Sequence, residues 1–433
     1  MTDGTIDKLC GLYSRLGISR DDYLKAEEIL SGLNDRFKEI DMIREANQLK
    51  VVSAFHDVGL SESHFAGTTG YGYDDVGRDK LEKAFANIMS AESSLLRWQI
   101  SSGTTAISLA LFGVLRPGDI MLSVTGKPYD TLTGVIGING KGTSGSLAEF
   151  GIGYRQVDFD LNGNPDLEGI KEAISPEVKV IFIQKSRGYA ARRTLLNKEI
   201  AGISDVVRRS GSEAVIIVDN CYGEFVETTE PCGYGADLCC GSLIKNPGGG
   251  IAITGGYVAG KTDLVEMAAC RLNAPGVGSH IGPTAGMNRM IALGMYLAPH
   301  TVSEAVKSAV FSSAYLEHFG IKSDPGPLVR RGDIVQSFEL GSEERLIAFC
   351  RSIQSASPID AHVTPIPWDM PGYDCEVIMA AGAFTQGASI EMSCDAPLRE
   401  PYRAYFQGGI VFDNVKLAAM IAMSDLRSLG LEQ

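Results

Sequence analysis

The sequence predicts an α/β protein, with a mostly parallel sheet in a large domain and a smaller α+β domain towards the C-terminus. Short β-branched apolar runs alternate with helical segments of about ten residues or more over most of the chain. Polar residues follow several of these runs directly, as ligand-binding residues do at the carboxyl ends of parallel strands. The composition then shifts at Asp324-Pro325-Gly326-Pro327, after a long helical region.

Composition and charge narrow the class of protein. The 433 residues are 44% hydrophobic and 21% charged, as in ordinary globular proteins, and the net charge of −14 disfavours nucleic acid as a partner. No apolar run approaches the roughly 18 residues of a membrane-spanning helix, and the N-terminus lacks a signal-peptide pattern. The nine cysteines are irregularly spaced and include no CxxC, so we expect a cytoplasmic protein without a metal site.

We divide the chain into an N-terminal helical arm over residues 1–60, a large domain over 61–314 and a small C-terminal domain over 315–433. Apolar residues at helical spacing over 23–55 indicate that the arm packs on another element, such as a second subunit. The segment 61–80 mixes glycines and aromatic residues without a helix or strand period. A loop of this length is usually functional, although an ordinary surface connection is the commoner outcome.

The elements of the large domain follow in order. Strands are predicted at 120–124, 154–159, 178–183, 214–218, 236–240 and 251–258, and residues 95–100 fit either a strand or the end of a helix. Helices are predicted at 79–91, 104–115, 167–174, 197–209 and 261–272, before a long helical region at 283–319 in which Pro299 is a candidate point of interruption. In the small domain we predict strands at 334–339, 375–380 and 389–392, a helix at 343–355 and a C-terminal helix from 414.

Asp219 and Lys245 are the main candidates for catalytic residues. Asp219 ends one buried apolar run, and Lys245 follows the next strand candidate. A desolvated amine has a lowered pKa and becomes nucleophilic, while a carboxylate can hold a proton on a heteroaromatic nitrogen. Pyridoxal phosphate (PLP) needs these two groups in a protein. Lys127 and Lys185 also follow strands and are the alternatives to Lys245.

Other candidates come from turns that follow strands or open helices. Ser102, Gly103 and Thr104 open an apolar helix and can form an anion site, although a plain helix cap without a ligand is the commoner explanation of such a turn. Tyr129 follows a strand, where an aromatic ring can contact a ligand or serve as an ordinary turn residue. The segment from Gln184 to Arg187 follows another strand at the same predicted crevice.

Several motifs together resemble the aluminium-resistance or methionine gamma-lyase-like family of PLP enzymes in cysteine and methionine metabolism. They span about residue 50 to about residue 415 in one order, and include GTTGYGYDDVGRDKLE, SSGTTAI, PYDTL, IQKSRGY, VDNCYGEFVE, GSLIKNPGGG, RLNAPGVG, QGASIEMS and REPYRAYFQGG. The resemblance implies the type I, aspartate-aminotransferase-like fold. It also implies a homo-oligomer, a dimer at least and a tetramer by analogy, with active sites shared between subunits.

The resemblance also implies roles for individual residues. Lys245 would bind PLP as a Schiff base and act in catalysis with Tyr129, whose ring would stack on the cofactor, while Asp219 would pair with the pyridine nitrogen. Residues expected to contact the cofactor are also Ser102, Gly103, Thr104, Gln184, Ser242, Tyr73 and Arg78, the last two from the neighbouring subunit. Residues expected to contact the substrate are Arg399, preferred over Arg403 as the carboxylate clamp, together with Tyr71 and Arg187.

The sequence departs from the family pattern in two places. Ile244 stands before Lys245, where a hydroxyl residue is usual, and the Tyr-x-Arg spacing of better-known lyases is absent, so the choice between Tyr71 and Tyr73 stays open. The expected function is PLP-dependent β- or γ-elimination from a sulfur-containing amino acid. The alternatives are other PLP chemistry at the α-carbon, such as transamination, and a PLP-fold protein with a regulatory or metal-resistance role.

Overall fold

The computed structural model describes residues 3–138, 144–370 and 375–430. The chain forms two compact units, which we call the large-sheet unit (Glu45–Pro299) and the small-sheet unit (Met1–Arg44 with His300–Gln433). These limits differ from the boundaries at residues 60 and 314 expected from the sequence, which stay predictions. No helix of the described segments is both long and apolar enough to cross a membrane.

The described residues form helices along the whole chain. In chain order they are α1 (Asp3–Arg15), α2 (Arg20–Gly32), α3 (Asn34–Asp57), α4 (Val76–Ile88), α5 (Gly103–Val114), α6 (Asp130–Ile136), α7 (Leu167–Ala173), α8 (Asn197–Arg209), α9 (Thr262–Leu272), α10 (Asn288–His318), α11 (Glu343–Ser355) and α12 (Phe412–Ser428).

The large-sheet unit contains a sheet with the strand order β1-β7-β6-β5-β4-β2-β3. All neighbouring strands from β6 to β3 pair in parallel, whereas β7 is antiparallel to both β6 and β1. The predicted mostly parallel sheet is therefore confirmed. Its strands are β1 (Ser93–Arg97), β2 (Ile120–Ser123), β3 (Gly153–Gln156), β4 (Val178–Gln184), β5 (Val215–Asp219), β6 (Leu238–Ser242) and β7 (Gly256–Gly260).

Helix α5 covers the centre of this sheet. Its apolar residues Ile107 and Leu111 are fully buried in one cluster with Phe182 of β4, Ile217 of β5 and Val258 of β7. Burial of such side chains contributes about 1.5–3 kcal/mol each, which fixes the helix on the strands. The N-terminus of α5 lies where β5 and β6 finish, since a Cβ at Gly103 would be 2.9 Å from the sulfur of Cys221, which follows β5, and 3.8 Å from Cβ of Ser242, the last residue of β6.

Three predicted elements differ from the structure. Strand β7 starts only at Gly256, because residues 251–254 form turns and bends instead of extended backbone. Helix α10 continues through Pro299, which lies inside it, so the candidate interruption there is not observed. Residues 389–392 form a loop, because the Glu391 carboxylate accepts two backbone N–H groups at 2.6 and 2.9 Å.

The small-sheet unit contains an antiparallel sheet with the strand order β10-β11-β12-β9-β8. Within this unit α2 contacts the C-terminal helix α12, where Arg427 pairs with Asp22 and Lys416 with Glu27. Part of the N-terminal arm is thus buried against its own chain. The strands are β8 (Lys322–Asp324), β9 (Val335–Glu339), β10 (Val377–Ala380), β11 (Ser393–Pro397) and β12 (Arg403–Gln407).

Candidate active site

Asp219 and Lys245 lie at the carboxyl ends of two adjacent parallel strands. Asp219 is the last residue of β5 and is in register with Cys240 of β6, and Lys245 follows the end of β6 by three residues. Such strand ends form the ligand-binding edge of open α/β sheets. The two candidates predicted from sequence are therefore brought to one edge of the large sheet.

The amine of Lys245 lies over an aromatic ring. Its Nζ is 3.9 Å from the centre of the Tyr222 ring, a short cation–π distance. Burial alone would lower the pKa of this amine, but the acidic groups of Cys221, Tyr222 and Asp219 outweigh burial and hold the pKa well above its ordinary value. The expectation of a lowered pKa for Lys245 is therefore wrong, because acidic side chains surround the amine.

Asp219 is a buried carboxyl group. Its Oδ1 accepts the Cys221 N–H at 3.1 Å. Burial raises the pKa of this carboxyl, and the charge of Lys245 opposes that effect without cancelling it. A positively charged N–H donor beside Asp219 would lower its pKa again, because an opposite charge favours the carboxylate. The carboxyl group is thus suited to a cationic heteroaromatic nitrogen.

The N-terminus of α5 presents two free backbone donors. The Ser102 hydroxyl caps the helix by accepting the Thr105 N–H at 3.1 Å. The N–H groups of Gly103 and Thr104 have no hydrogen-bond acceptor within the described part of the chain. Both interpretations of this turn therefore apply: Ser102 acts as an ordinary cap, and the next two amides remain available to an anion.

Replacing Gly103 by alanine is expected to destabilise the protein by about 1–3 kcal/mol. A Cβ at this position would lie 2.9 Å from the Cys221 sulfur, which is closer than carbon and sulfur can approach. Urea unfolding of Gly103→Ala measures the loss. The double variant with Cys221→Ala should regain most of it, since the clash is then removed; a loss that persists in the double variant would assign it to the helix N-terminus instead.

The Tyr129 side chain is joined to this same turn. Its hydroxyl is 2.8 Å from the Thr104 hydroxyl, and its backbone N–H donates to Oε1 of Gln184 at 2.8 Å. Burial, followed by the charge of Asp219, raises the pKa of Tyr129, so the phenol keeps its proton at physiological pH. Gln184 therefore positions Tyr129 through its amide oxygen, while its Nε2 donates to the Ser186 carbonyl at 3.0 Å, and its role towards a cofactor stays a prediction.

Two other predicted residues are buried at this edge. The Ser242 hydroxyl at the end of β6 donates weakly to the Gly255 carbonyl at 3.5 Å. Arg187 is also buried, and its Nε donates to the Ala190 carbonyl at 3.3 Å. Lys185, one of the alternatives to Lys245, is fully buried beside Glu227, with Nζ and Oε1 3.4 Å apart.

The predicted loop carrying Tyr71, Tyr73 and Arg78 is fixed against a second loop. Arg78 is buried, and its Nη1 donates to the carbonyls of Gly72 and Gly282 at 2.6 and 3.2 Å. The Tyr71 and Tyr73 side chains are 72% and 56% exposed, with ring centres 5.7 Å apart. Arg78 thus holds the loop, and the two tyrosines point to solvent.

The predicted carboxylate clamp lies in the small-sheet unit. Arg399 is exposed in the turn after β11, where its carbonyl accepts the Tyr402 N–H at 2.8 Å. Arg403 begins β12 and pairs with Glu339 at 3.1 Å. The Arg399 side chain is thus the less committed of the two, and its role stays a prediction.

Three residues at this edge of the large sheet were missed by sequence reasoning. Tyr222, under the lysine amine, has a φ of +72°, a strained conformation for an aromatic residue. Cys221 lies between Asp219 and the Gly103 turn. Arg192 donates to the carbonyls of Gln184 and Ser186 at 2.7 Å. Only the position of Tyr222, three residues after Asp219, offered a signal.

Comparisons with known proteins cover almost the whole chain. The family model for methionine gamma-lyase matches residues 23–427. The uncharacterized protein YnbB of Bacillus subtilis (strain 168) is 48% identical over 403 residues, which are 93% of this chain and 95% of that protein.

Solved structures agree with this result. A Clostridium acetobutylicum protein described as a candidate cystathionine beta-lyase involved in aluminium resistance has 46% identity and a TM-score of 0.93, covering 98% of this chain and 99% of its own. A carbon-sulfur lyase involved in aluminium resistance from Clostridium novyi NT has 46% identity and a TM-score of 0.92 over the same shares. The PLP-dependent protein YhfS of Escherichia coli shares the fold at 17% identity, with a TM-score of 0.59 over 89% of this chain and 97% of its own. The predicted type I fold is thus confirmed.

Proposed function

Since the chain belongs to the methionine gamma-lyase family, we propose that it is a PLP-dependent carbon-sulfur lyase acting on a sulfur-containing amino acid. The observation that carries the proposal is the placement of Lys245, Asp219 and the free amides of Gly103 and Thr104 at one edge of the large sheet. An amine, a buried carboxyl group and an anion site are the three groups that PLP requires.

Bound PLP would supply an electron sink for the negative charge that develops at the substrate α-carbon. Lys245 would hold the cofactor covalently and, once released by the substrate amine, take the α-proton on its Nζ. Asp219 would keep the pyridine nitrogen protonated, and that positive charge would in turn compensate its buried carboxylate. The amides of Gly103 and Thr104 would bind the phosphate.

Tyr129 would hold the ring and supply a proton to the leaving sulfur, because its raised pKa keeps the phenol protonated. We expect Tyr129→Phe to lower kcat by about 10²-fold while PLP stays bound, since the ring remains and the proton donor is lost. Thr104→Val is the matched control, because it removes the hydroxyl partner but leaves the phenol. Equal losses of kcat in the two variants would show that the contact between the Tyr129 and Thr104 hydroxyls only positions the side chains, and that Tyr129 is not the proton donor.

The products would be a 2-oxo acid, ammonia and a thiol. Assays with L-cystathionine and L-methionine test this, by measuring the oxo acid, free ammonia and free thiol in the same sample. Pyruvate with a thiol indicates β-elimination, and 2-oxobutyrate with a thiol indicates γ-elimination. Transfer of the amino group to an added 2-oxo acid without release of ammonia would replace the lyase proposal by an aminotransferase.

The exposed aromatic rings of Tyr71 and Tyr73 support a further part of the proposal, a homo-oligomer, dimer at least and tetramer by analogy, with active sites shared between subunits. We also place the protein in the cytoplasm, since all nine cysteines are free thiols. Mixing inactive Lys245→Ala with inactive Tyr73→Ala should restore activity if each site combines residues of two subunits. If Lys245→Ala regains no activity when mixed with either Tyr73→Ala or Tyr71→Ala, active sites shared between subunits are contradicted.

A further inference from the structure

Two pairs of cysteine sulfurs lie close together in the described segments. In the large-sheet unit the Sγ atoms of Cys232 and Cys239 are 3.3 Å apart, and in the small-sheet unit those of Cys350 and Cys394 are 3.9 Å apart. All four residues are free thiols. A disulfide bond is about 2.05 Å long, so sulfurs that already face each other at these distances can be joined by a small movement of the side chains.

The two pairs differ in exposure to solvent. Cys350 and Cys394 are both fully buried, whereas in the other pair only Cys239 is fully buried. Cys232 is partly exposed, because it lies in the short turn Pro231–Tyr234 at the surface. An oxidant dissolved in water can therefore reach Cys232, while it meets neither sulfur of the buried pair.

The position of Cys239 on β6 explains why it is the partner of Cys232. The next residue, Cys240, packs in the cluster beneath α5, and successive side chains of a strand point to opposite faces, so Cys239 points away from α5. Cys232 covers that second face, since its sulfur is also 3.7 Å from the carbonyl of Ala259, which is in register with Cys239 on β7. Burial, followed by the contact with Cys232, raises the pKa of the Cys239 thiol, so this thiol keeps its proton.

We propose that Cys232 and Cys239 form an oxidant-sensitive dithiol site, which a peroxide converts into a disulfide and external thiols convert back. The Cys232 sulfur attacks hydrogen peroxide: an S–O bond forms, the O–O bond breaks, and water leaves with the thiol proton. The Cys239 sulfur then attacks the resulting sulfenic acid. The S–S bond forms, the S–O bond breaks, and the Cys239 proton leaves with the oxygen as a second water. Two electrons pass in total from the two sulfurs to the peroxide.

The disulfide attaches the turn of Cys232 to β6, the strand that leads to Lys245. Glu230, two residues before Cys232, accepts the Asn220 side-chain N–H at 3.1 Å and the Phe225 backbone N–H at 2.9 Å. The turn is therefore fixed to the segment that follows β5. In a reducing compartment such a pair stays a dithiol and is oxidised only transiently, which is the behaviour of cysteines that sense oxidants. The reaction needs neither PLP nor an amino-acid substrate.

Peroxide treatment of the reduced full chain tests the proposal. After removal of the reductant, a small molar excess of hydrogen peroxide is added, and the remaining thiols are alkylated during unfolding in urea. Chymotrypsin then cuts at Tyr234 and Leu238, between the two cysteines, and mass analysis should find the peptides of Cys232 and Cys239 joined. Two of the nine free thiols should be lost, and dithiothreitol should restore both.

Two variants provide matched controls, because their cysteines are adjacent on β6. Cys240→Ser should keep the link to Cys232, since Cys240 points to the other face. Cys239→Ser should abolish the link and leave Cys232 as a sulfenic acid, which dimedone traps. The link itself is measured in the wild type, so the test does not depend on the folding of either variant.

The proposal is overturned if peroxide oxidises Cys232 without joining it to Cys239, or if it leaves both thiols free. Joining of Cys350 to Cys394 at the same peroxide concentration would also contradict it, because the oxidant would then act on an opened chain and not on the exposed sulfur of the folded protein. Absence of lyase activity would contradict the proposed function and leave this result unaffected.

Discussion

Replacing Lys245 by alanine is expected to abolish covalent attachment of PLP and to lower kcat of the proposed elimination by roughly 10³-fold or more. The amine both attaches the cofactor and moves the α-proton, so its loss removes two functions at once. Treatment with borohydride followed by peptide mass analysis locates the labelled lysine, and the visible absorbance of the reconstituted protein reports attachment. In the wild type we expect the label on Lys245.

Two other lysines sharpen this test. Lys127→Ala is the matched control, since this exposed lysine also follows a strand of the large sheet and its loss should leave labelling and kcat unchanged. Lys185 is the structural alternative, because it is fully buried and its backbone N–H donates to the Asp219 carbonyl. A borohydride-stable label on Lys185 in both the wild type and the Lys245→Ala protein would show that Lys185 attaches the cofactor instead.

The large sheet was predictable because its central strands β4 and β5 are short, rich in β-branched residues and almost wholly buried. Such runs differ clearly from the amphipathic helices between them, and chain order then restricts a parallel sheet to few topologies. The positions of Asp219 and Lys245 followed from the same argument, since a polar residue directly after a buried strand must lie at its carboxyl end. The site was thus predictable wherever it depends on strand ends.

Other features depend on contacts between distant segments, which periodicity cannot show. Residues 389–392 have the apolar pattern of a strand. They form a loop instead, in which the Glu391 carboxylate accepts the backbone N–H groups of Phe384 and Thr385. Pro299 lies inside a continuous helix, although a proline in a helical pattern usually indicates an end or a kink. The Tyr222 ring reaches Lys245 only through a left-handed backbone conformation, and local sequence does not encode such strain in a non-glycine residue.

The pKa of Lys245 also could not be predicted from the sequence. Burial was predictable from the apolar sequence around the lysine, and burial lowers the pKa of an amine. The acidic groups that reverse this effect come from the Asp219–Tyr222 segment, and their summed influence depends on distances that only the structure supplies. A chemical role can therefore be inferred from residue type and position more readily than a protonation state.

Asp219→Asn is expected to lower kcat by about 10²–10⁴-fold without destabilising the protein. The amide keeps an oxygen to accept the Cys221 N–H, but it is neutral and cannot hold a proton on the pyridine nitrogen. Burial raises the pKa of Asp219 in the folded state. The stability that this group contributes is therefore full below its unfolded pKa and is lost as the pH rises through the folded value. At neutral pH the neutral amide should leave the free energy of unfolding unchanged or increase it.

Asp237→Asn is the control that separates the loss of kcat expected for Asp219→Asn from the effect of removing any buried carboxylate. Asp237 is as buried as Asp219, but it lies at the amino end of β6, where it pairs with Arg208 and Lys261 and accepts the Ile216 N–H at 2.7 Å. Its replacement should lower the free energy of unfolding by roughly 2 kcal/mol and leave kcat almost unchanged. Urea unfolding and steady-state kinetics are measured on both variants. If the two carboxyl groups have different roles, Asp219→Asn lowers only kcat and Asp237→Asn lowers only the free energy of unfolding. Parallel losses in both measurements would show instead that Asp219 supports the sheet edge and does not act on the cofactor.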